Sequence, residues 1–414
     1  MQPALRQILL GSTPKTSFEL ALKTSLVPEK AVDGTATFTR SSTATYFDST
    51  GVLQTASADS MRFNYNPVAL VNNGGLVEGG RTNVILRSEE FDSASWSKTR
   101  SSVTTNATVA PDGLTTADKL VEDTSTNSHF CSQLKSVADN TNITVSIYAK
   151  AAERNILPLV TSGKDSVFRT SYFNLQTGSV SSQASGHICS IESVGNGWYR
   201  CIITVNSGTG ASNFGIYPSM AIVSGSTSYA GDGTSGLYIW GSQEEVGDFV
   251  SSYIPTTTAA VTRAVDLLSY PTTNINAVSG TIKLEFTPEH TPIGTISLFG
   301  SYVDANNYTA ILHDSTNLIA RKRIAGTNYD ATIANPFTSG TTYKVAASWG
   351  NNGVNIALNG VLGTSNGNST AVQLGATVQI GADGNGANQP FSEIKNIKFY
   401  KKQLSVSKLL GLTT

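Results

Sequence analysis

The chain has 414 residues, too long for one compact domain of ordinary size, so two domains plus a further segment are expected. Charged residues are only 14% of it and nearly balance, 28 basic against 29 acidic. That excludes binding driven by phosphate neutralisation and excludes a charged disordered tail. The 37 glycines, in a background crowded with Ser, Thr, Asn and Val, give the composition of a turn-rich β protein.

The start of the chain holds a short apolar patch without the basic lead and long apolar run of a signal peptide. No stretch approaches the roughly 18 apolar residues of a membrane span. A short helix is expected over residues 12–24, with Pro14 in its first turn. Residues 1–85 otherwise show turn residues throughout and few long apolar faces. They are expected to form an extended arm without a core of its own, docking on something else. Over residues 86–257 strand signals follow one another closely. Ile143, Val145 and Ile147 alternate with Thr144 and Ser146, and Tyr199, Cys201, Ile203 and Val205 form another such row. Trp96, Trp198 and Trp240 can fill one sandwich there. A small polar stretch around residues 256–264 reads as a linker. Residues 266–414 bring a second series, with rows at Ile282, Leu284, Phe286 and at Tyr343, Val345, Ala347, Trp349. Asn359-Gly360 between Leu358 and Val361 predicts a type I′ hairpin. Ser405 is placed to cap a short terminal helix. The fold class expected is all-β: an arm followed by two antiparallel β-sandwich (jelly-roll) domains, 86–257 and 266–414.

The arm reads Thr37-Phe38-Thr39-Arg40-Ser41-Ser42, then Arg62-Phe63-Asn64-Tyr65-Asn66-Pro67, and closes on Glu78-Gly79-Gly80-Arg81-Thr82-Asn83. This series resembles the N-terminal arm of tailed-bacteriophage virion proteins found on tails, fibres and head surfaces. An acidic pair usually precedes the Arg-Thr-Asn, where this chain has Glu78-Gly79-Gly80. The next segment resembles the carbohydrate-binding jelly-roll module that commonly follows that arm, through Ser88-Glu89-Glu90-Phe91, Gly197-Trp198-Tyr199-Arg200, Leu237-Tyr238-Ile239-Trp240-Gly241 and Ser252-Tyr253-Ile254-Pro255. The last segment is similar to laminin-G or concanavalin-like lectin sandwiches, through residues 343–360 and 394–405. The resemblance implies a non-enzymatic structural protein on the virion surface, made in the bacterial host cytoplasm. It further implies a homotrimer docked on phage capsid or tail proteins, weakly binding bacterial surface polysaccharide at many copies. It leaves head and tail locations equally open. A tailspike depolymerase and a secreted lectin-like module are the alternatives.

Chemistry-bearing motifs are sparse. Gly231-Asp232-Gly233-Thr234-Ser235-Gly236 satisfies G-x-G-x-x-G, but a strand pattern follows where a nucleotide site needs a helix, so it reads as a loop. His129, His187, His290 and His313 are isolated, and neighbouring acids such as Glu244-Glu245 point to opposite faces of a strand. Cys131, Cys189 and Cys201 are odd in number and without C-x-x-C spacing, which argues for buried free thiols. No catalytic residue and no cofactor is expected. Sugar recognition requires aromatic rings to stack on, and the candidates are Trp240, Tyr238, Trp96 and Tyr253. Packing in the core is the competing role for each, and the expected one for Trp198. Asp383-Gly384-Asn385-Gly386 resembles a calcium-holding lectin loop, but a single acid favours a metal-free turn, with Asp383 the one calcium candidate.

Overall fold

A computed structural model describes residues 15–291, 294–334 and 337–414. Strands and tight turns make up nearly all of them, with one short α-helix, Val406–Gly411, among the described residues. The protein is all-β. No described helix is long and apolar enough to cross a membrane. Backbone contacts divide the chain into two compact units, neither continuous in sequence. The central unit comprises residues 40–72 and 80–265; the terminal unit comprises, among the described residues, 15–39, 73–79 and 266–414.

The central unit is a sandwich of two antiparallel sheets. One runs, in order, His187–Gly195, Trp198–Asn206, Asn142–Ala151, Gly236–Val246, Ala117–Glu122, Ser101–Thr108. The other runs Ser179–Ser182, Phe168–Asn174, Ile156–Ser162, Phe214–Pro218, Phe130–Lys135, Ser97–Thr99. Ile143, Val145 and Ile147 lie opposite Val205, Ile203 and Cys201. Because side chains alternate faces along a strand, both rows enter the same core, where Leu157, Leu159, Phe173 and Phe214 meet them from the second sheet.

Residues 40–72 join this unit instead of extending from it. The hairpin Ala44–Phe47 with Leu53–Ala56 brings Phe47 and Leu53 against Tyr148, Trp198, Trp240 and Tyr253, on the face of the first sheet turned away from the core. Two arginines of the arm's signature hold it there. Arg40 is buried, donating from Nε to the Ser42 carbonyl (2.9 Å) and from Nη2 to those of Ser57 (2.7 Å) and Ser60 (2.9 Å). Arg62 is buried too, donating from Nη1 to the Thr45 carbonyl (3.0 Å) and Ser252 Oγ (2.9 Å). The two guanidinium groups thus tie several carbonyls of residues 40–62 together from inside the fold. The expected 1–85 arm is thus divided between the two units.

The terminal unit pairs Val361–Asn366, Gly353–Leu358, Tyr343–Gly350, Gly280–Pro288, Ser392–Tyr400 and Asn72–Val77 in that order, with Phe18–Leu20 also on Ser392–Tyr400. Its other sheet runs Thr37–Thr39, Leu267–Pro271, Thr377–Ile380, Ile296–Asp304, Asn307–His313, Asn317–Ile324, Thr327–Ala334. Phe399 stacks on Phe18 at 4.7 Å and meets Phe299 of the second sheet edge-on at 6.0 Å. The helix expected over 12–24 does not form in its described part. Phe18 and Leu20 are both buried, a spacing of two that suits a strand, and they pair with Phe399 and Ile397; residues 12–14 lie outside the described residues. The Asn359-Gly360 turn is as expected, with φ of 46° and 79°. The terminal helix also forms with Ser405 at its N-cap position, although the hydroxyl faces Ser407 Oγ and bonds no backbone amide of the first turn.

Candidate functional site

Burial removes three of the four rings chosen for sugar stacking. Trp240 is 2% exposed, with its Nε1 donating to Thr116 Oγ1 (3.1 Å) and its ring 4.9 Å from Tyr253 and 5.5 Å from Tyr148. Tyr253 is equally buried, its hydroxyl shared with Ser88 Oγ (2.7 Å) and Glu89 Oε1 (3.0 Å). Tyr238 packs half-buried against the same cluster. Trp96 belongs to the core between the sheets, beside Phe91 at 4.7 Å. Trp240, Tyr253 and Trp96 have no free face for a pyranose because the 44–56 hairpin covers the one cluster and the second sheet covers the other. Trp198 is core, as expected.

The titratable groups are likewise committed to structure. Asp232 Oδ1 accepts from the amides of Thr234 (2.8 Å) and Ser235 (2.7 Å), folding the glycine-rich stretch into a self-capped loop before the strand Gly236–Val246. Cys131 and Cys201 are buried free thiols and Cys189 is half-buried. His187 contacts Ser171 Oγ through Nδ1 (2.7 Å) and Thr161 Oγ1 through Nε2 (2.9 Å), but it is 3% exposed and sealed in the sandwich. Burial, with Arg169 adding to it, pushes this imidazole down to about 4. Between pH 6.5 and 4 the unfolded chain therefore takes a proton that the folded one refuses, and stability falls as pH drops through that window. An H187Q variant should lose this acid limb, which melting curves recorded from pH 4 to 7 would reveal.

Asp383 is held by its own loop. Its Oδ1 accepts from the amides of Asn385 and Ala387 (both 2.9 Å), and its Oδ2 from Asn388 Nδ2 (2.7 Å). Among the described residues no group of three His, Cys, Asp or Glu side chains is arranged to hold a metal ion.

The same loop forms one wall of a groove of about 280 Å³ on the terminal unit. It approaches the strand Ile296–Asp304 so closely that a side-chain carbon on Gly300 would stand 2.3 Å from the Gly384 amide, which accounts for glycine at 300. The Ser297 amide bonds the Asn388 carbonyl (2.8 Å) and fixes the loop in place. Across the groove Tyr302 and Tyr308 are cross-strand partners in one hairpin. Their rings lie 6.4 Å apart and only 22° from parallel, both half-exposed. Arg321 closes one end, donating from Nε and Nη2 to the two oxygens of Asp330 (2.9 and 2.7 Å), which holds the guanidinium firmly charged. Asp330 thereby balances its charge. The groove thus offers a pair of aligned rings, amide groups from Asn385 and Asn388, and a single acidic side chain, Asp383, whose oxygens are taken up by its own loop. By contrast, Phe130, Tyr217 and Phe168 on the central unit meet at 74° and 59° and share no plane.

Comparison with known proteins agrees with this architecture. Residues 255–409 match the family described as the Concanavalin A-like lectin/glucanases superfamily. No curated protein matches the chain. Among solved structures, domain 4 of the arabinanase AbnA from Geobacillus stearothermophilus, in complex with arabinotriose, is 19% identical, covers 40% of this chain and 82% of its own, and has a TM-score of 0.32. The SAP-like pentraxin of Limulus polyphemus is 15% identical over 33% of this chain and 70% of its own, with a TM-score of 0.26. Domains LG4-5 of mouse laminin alpha1 are 11% identical over 67% of this chain and 85% of their own, with a TM-score of 0.24. At these scores the structural likenesses carry no argument about ligands. The C-terminal region of the chain has the concanavalin A-like lectin/glucanase fold.

Proposed function

We propose that this protein is a non-enzymatic structural component of the exterior of a tailed-phage particle, and that its terminal unit binds neutral host or environmental glycans weakly and at many copies. The glycan reading rests on the Tyr302–Tyr308 pair, two nearly parallel rings facing a wall of amides. Sugar C–H faces pack on such rings, while the hydroxyls exchange hydrogen bonds with Asn385 and Asn388. With Arg321 matched by Asp330 and a neutral glycan as ligand, the one remaining charge, Asp383, has no ligand charge to act on, so binding should change little with salt. A shallow groove buries little surface, and useful avidity comes from repetition on one particle. The virion assignment is supported by the signature motifs of the first 85 residues. Attachment to phage capsid or tail proteins and a homotrimeric state follow from that same resemblance.

Each ring is worth roughly 0.5–1.5 kcal/mol in stacking, so a Y302A/Y308A double variant should bind a host-polysaccharide array roughly tenfold more weakly. Its melting temperature should be nearly unchanged, since both rings are half-exposed. Undiminished array binding would exclude the groove. Release of reducing ends from the same polysaccharides would replace the reading with a depolymerase. Immunogold labelling of particles with an antibody to residues 266–414 should decorate head or tail, and unlabelled particles would defeat the virion assignment. Light scattering showing a monomer throughout the micromolar range would remove the trimer.

A further inference from the structure

A larger cavity, about 560 Å³, opens at one end of the central sandwich. Strand register explains the unusual groups found there. Glu244 lies opposite Val145, a fully buried residue of the core between the sheets. Cross-strand partners share a face, so Glu244 also points between the sheets, two residues before its strand ends. Lys135, the last residue of its strand, lies opposite the core residue Phe214 and points inward from the other sheet. An acid and a base therefore occupy the apolar end of one core.

The two neighbouring acids differ sharply. Glu245 is fully engaged: Oε1 accepts from Gln243 Nε2 (2.9 Å) and the Ser251 amide (2.7 Å), Oε2 accepts from Ser251 Oγ (2.7 Å), and Arg81 Nε stands 3.7 Å away. Glu244 is 1% exposed, and among the described residues neither of its carboxyl oxygens has a hydrogen-bond partner. A buried polar group left unpaired costs roughly 1–3 kcal/mol, more when charged, and calls for a specific explanation. A partner brought in from outside supplies one.

The chemistry of that partner follows from the surroundings. Of the charged groups lining the cavity, Arg81 and Glu245 balance each other and the Glu244 carboxyl is neutral at pH 7, so no ion of either sign is favoured. Val84, Val137, Ile143 and Val246 provide apolar wall, and Thr82, Ser136 and Thr262 provide hydroxyls. We propose that this cavity is a second binding site, taking a neutral polyhydroxylated ligand the size of a single sugar unit, whose adjacent hydroxyls pair with Glu244 while its C–H face lies on the valines. The volume falls within the roughly 300–1,000 Å³ of small-molecule pockets. Burial pushes the Glu244 carboxyl up to about 8, so at neutral pH it is protonated and both donates and accepts, as a hydroxyl pair requires. This site does not depend on the Tyr302–Tyr308 groove, and either can fail without the other.

The test is a titration of the full chain with glucose, galactose and N-acetylglucosamine, followed by amide chemical shifts in transverse-relaxation-optimised NMR spectra. One sugar should produce saturable shifts at Ser136, Ala138, Glu244 and Val246. E244A should weaken that response roughly tenfold, and V137W, which fills the cavity without touching the carboxyl, should abolish it. Y302A/Y308A should leave it intact. Retained backbone spectra in both cavity variants separate loss of binding from loss of fold. Absence of saturable shifts at these amides with every sugar, or equal shifts with calcium or methylammonium, would overturn the proposal.

Discussion

Replacing Glu244 by glutamine should stabilise the central unit by about 2–4 kcal/mol at pH 7 and by almost nothing at pH 4. The wild-type carboxyl titrates near 8 when folded because burial disfavours its charge, against 4.5 for the free group. Below pH 4.5 it is protonated in both states and costs no differential energy. Between 4.5 and 8 the unfolded chain gives up the proton and the folded chain keeps it, so stability declines steadily as pH rises. Glutamine keeps the size and the neutral, unpaired polar character but has no proton to lose, so that decline should vanish. Lys135, whose ammonium is pushed down by desolvation, is supported by Glu244 only when that carboxyl is ionised, so the variant gives up that support only as pH approaches 8 and beyond. Paired melting curves from pH 4 to 8 decide the matter. Parallel curves for the two proteins would mean that the carboxyl is solvated or already paired.

Trp240→Ala should cost about 3–5 kcal/mol, the usual penalty for emptying a large aromatic site in a packed core. The indole is 2% exposed, touches Tyr148 and Tyr253, and donates to Thr116. Its removal leaves a void between the sheet and the 44–56 hairpin and leaves the Thr116 hydroxyl without that donor. The hairpin adds little pairing of its own, four residues against four, so it should loosen first. Hydrogen exchange should therefore rise at Ala44–Phe47 before the sheet strands respond. A variant that melts like the wild type would return Trp240 to the surface and reopen its role in sugar stacking.

Local chemistry was legible in the sequence, and long-range coverage was not. Period-two rows such as Ile143-Val145-Ile147 identified strands because a half-buried strand requires them. Asn359-Gly360 identified a turn because both residues must adopt positive φ. Trp240 and Tyr238 share a strand face, and that much could be read. What could not be read was that Phe47 and Leu53, nearly two hundred residues earlier, cover that face. Treating the first 85 residues as an arm left the rings uncovered and suggested a sugar platform. The groove tyrosines carried a weak local signal. A tight turn at residues 305–306 sets Asp304 opposite Asn307 and brings the strands of Tyr302 and Tyr308 together, but regular alternation would put Tyr302 opposite Thr309, and the irregularity at Val303 that shifts it onto Tyr308 left no mark in the sequence. The wall formed by residues 383–388 had no such signal, because its approach to Gly300 bridges some eighty residues of chain.

The discontinuity of the terminal unit sets a timetable for biosynthesis. Phe18 pairs with Phe399, and Gly75 pairs with Ile394, so two strands wait for one made more than three hundred residues later. At roughly 5–20 residues per second that delay is on the order of 20–80 s. The segments of the central unit, by contrast, all emerge between residues 40 and 265, interrupted only by residues 73–79. That unit can close while the ribosome is still translating, whereas the terminal unit must hold apolar Phe18, Leu20, Leu76 and Val77 in reserve until residues 392–399 have been made. Chains released before residue 390 would carry a finished central sandwich attached to an open sheet with unpaired edges, the form in which β proteins aggregate. Slow translation or starvation for an amino acid late in the message should therefore reduce the soluble yield more than the same delay placed before residue 265.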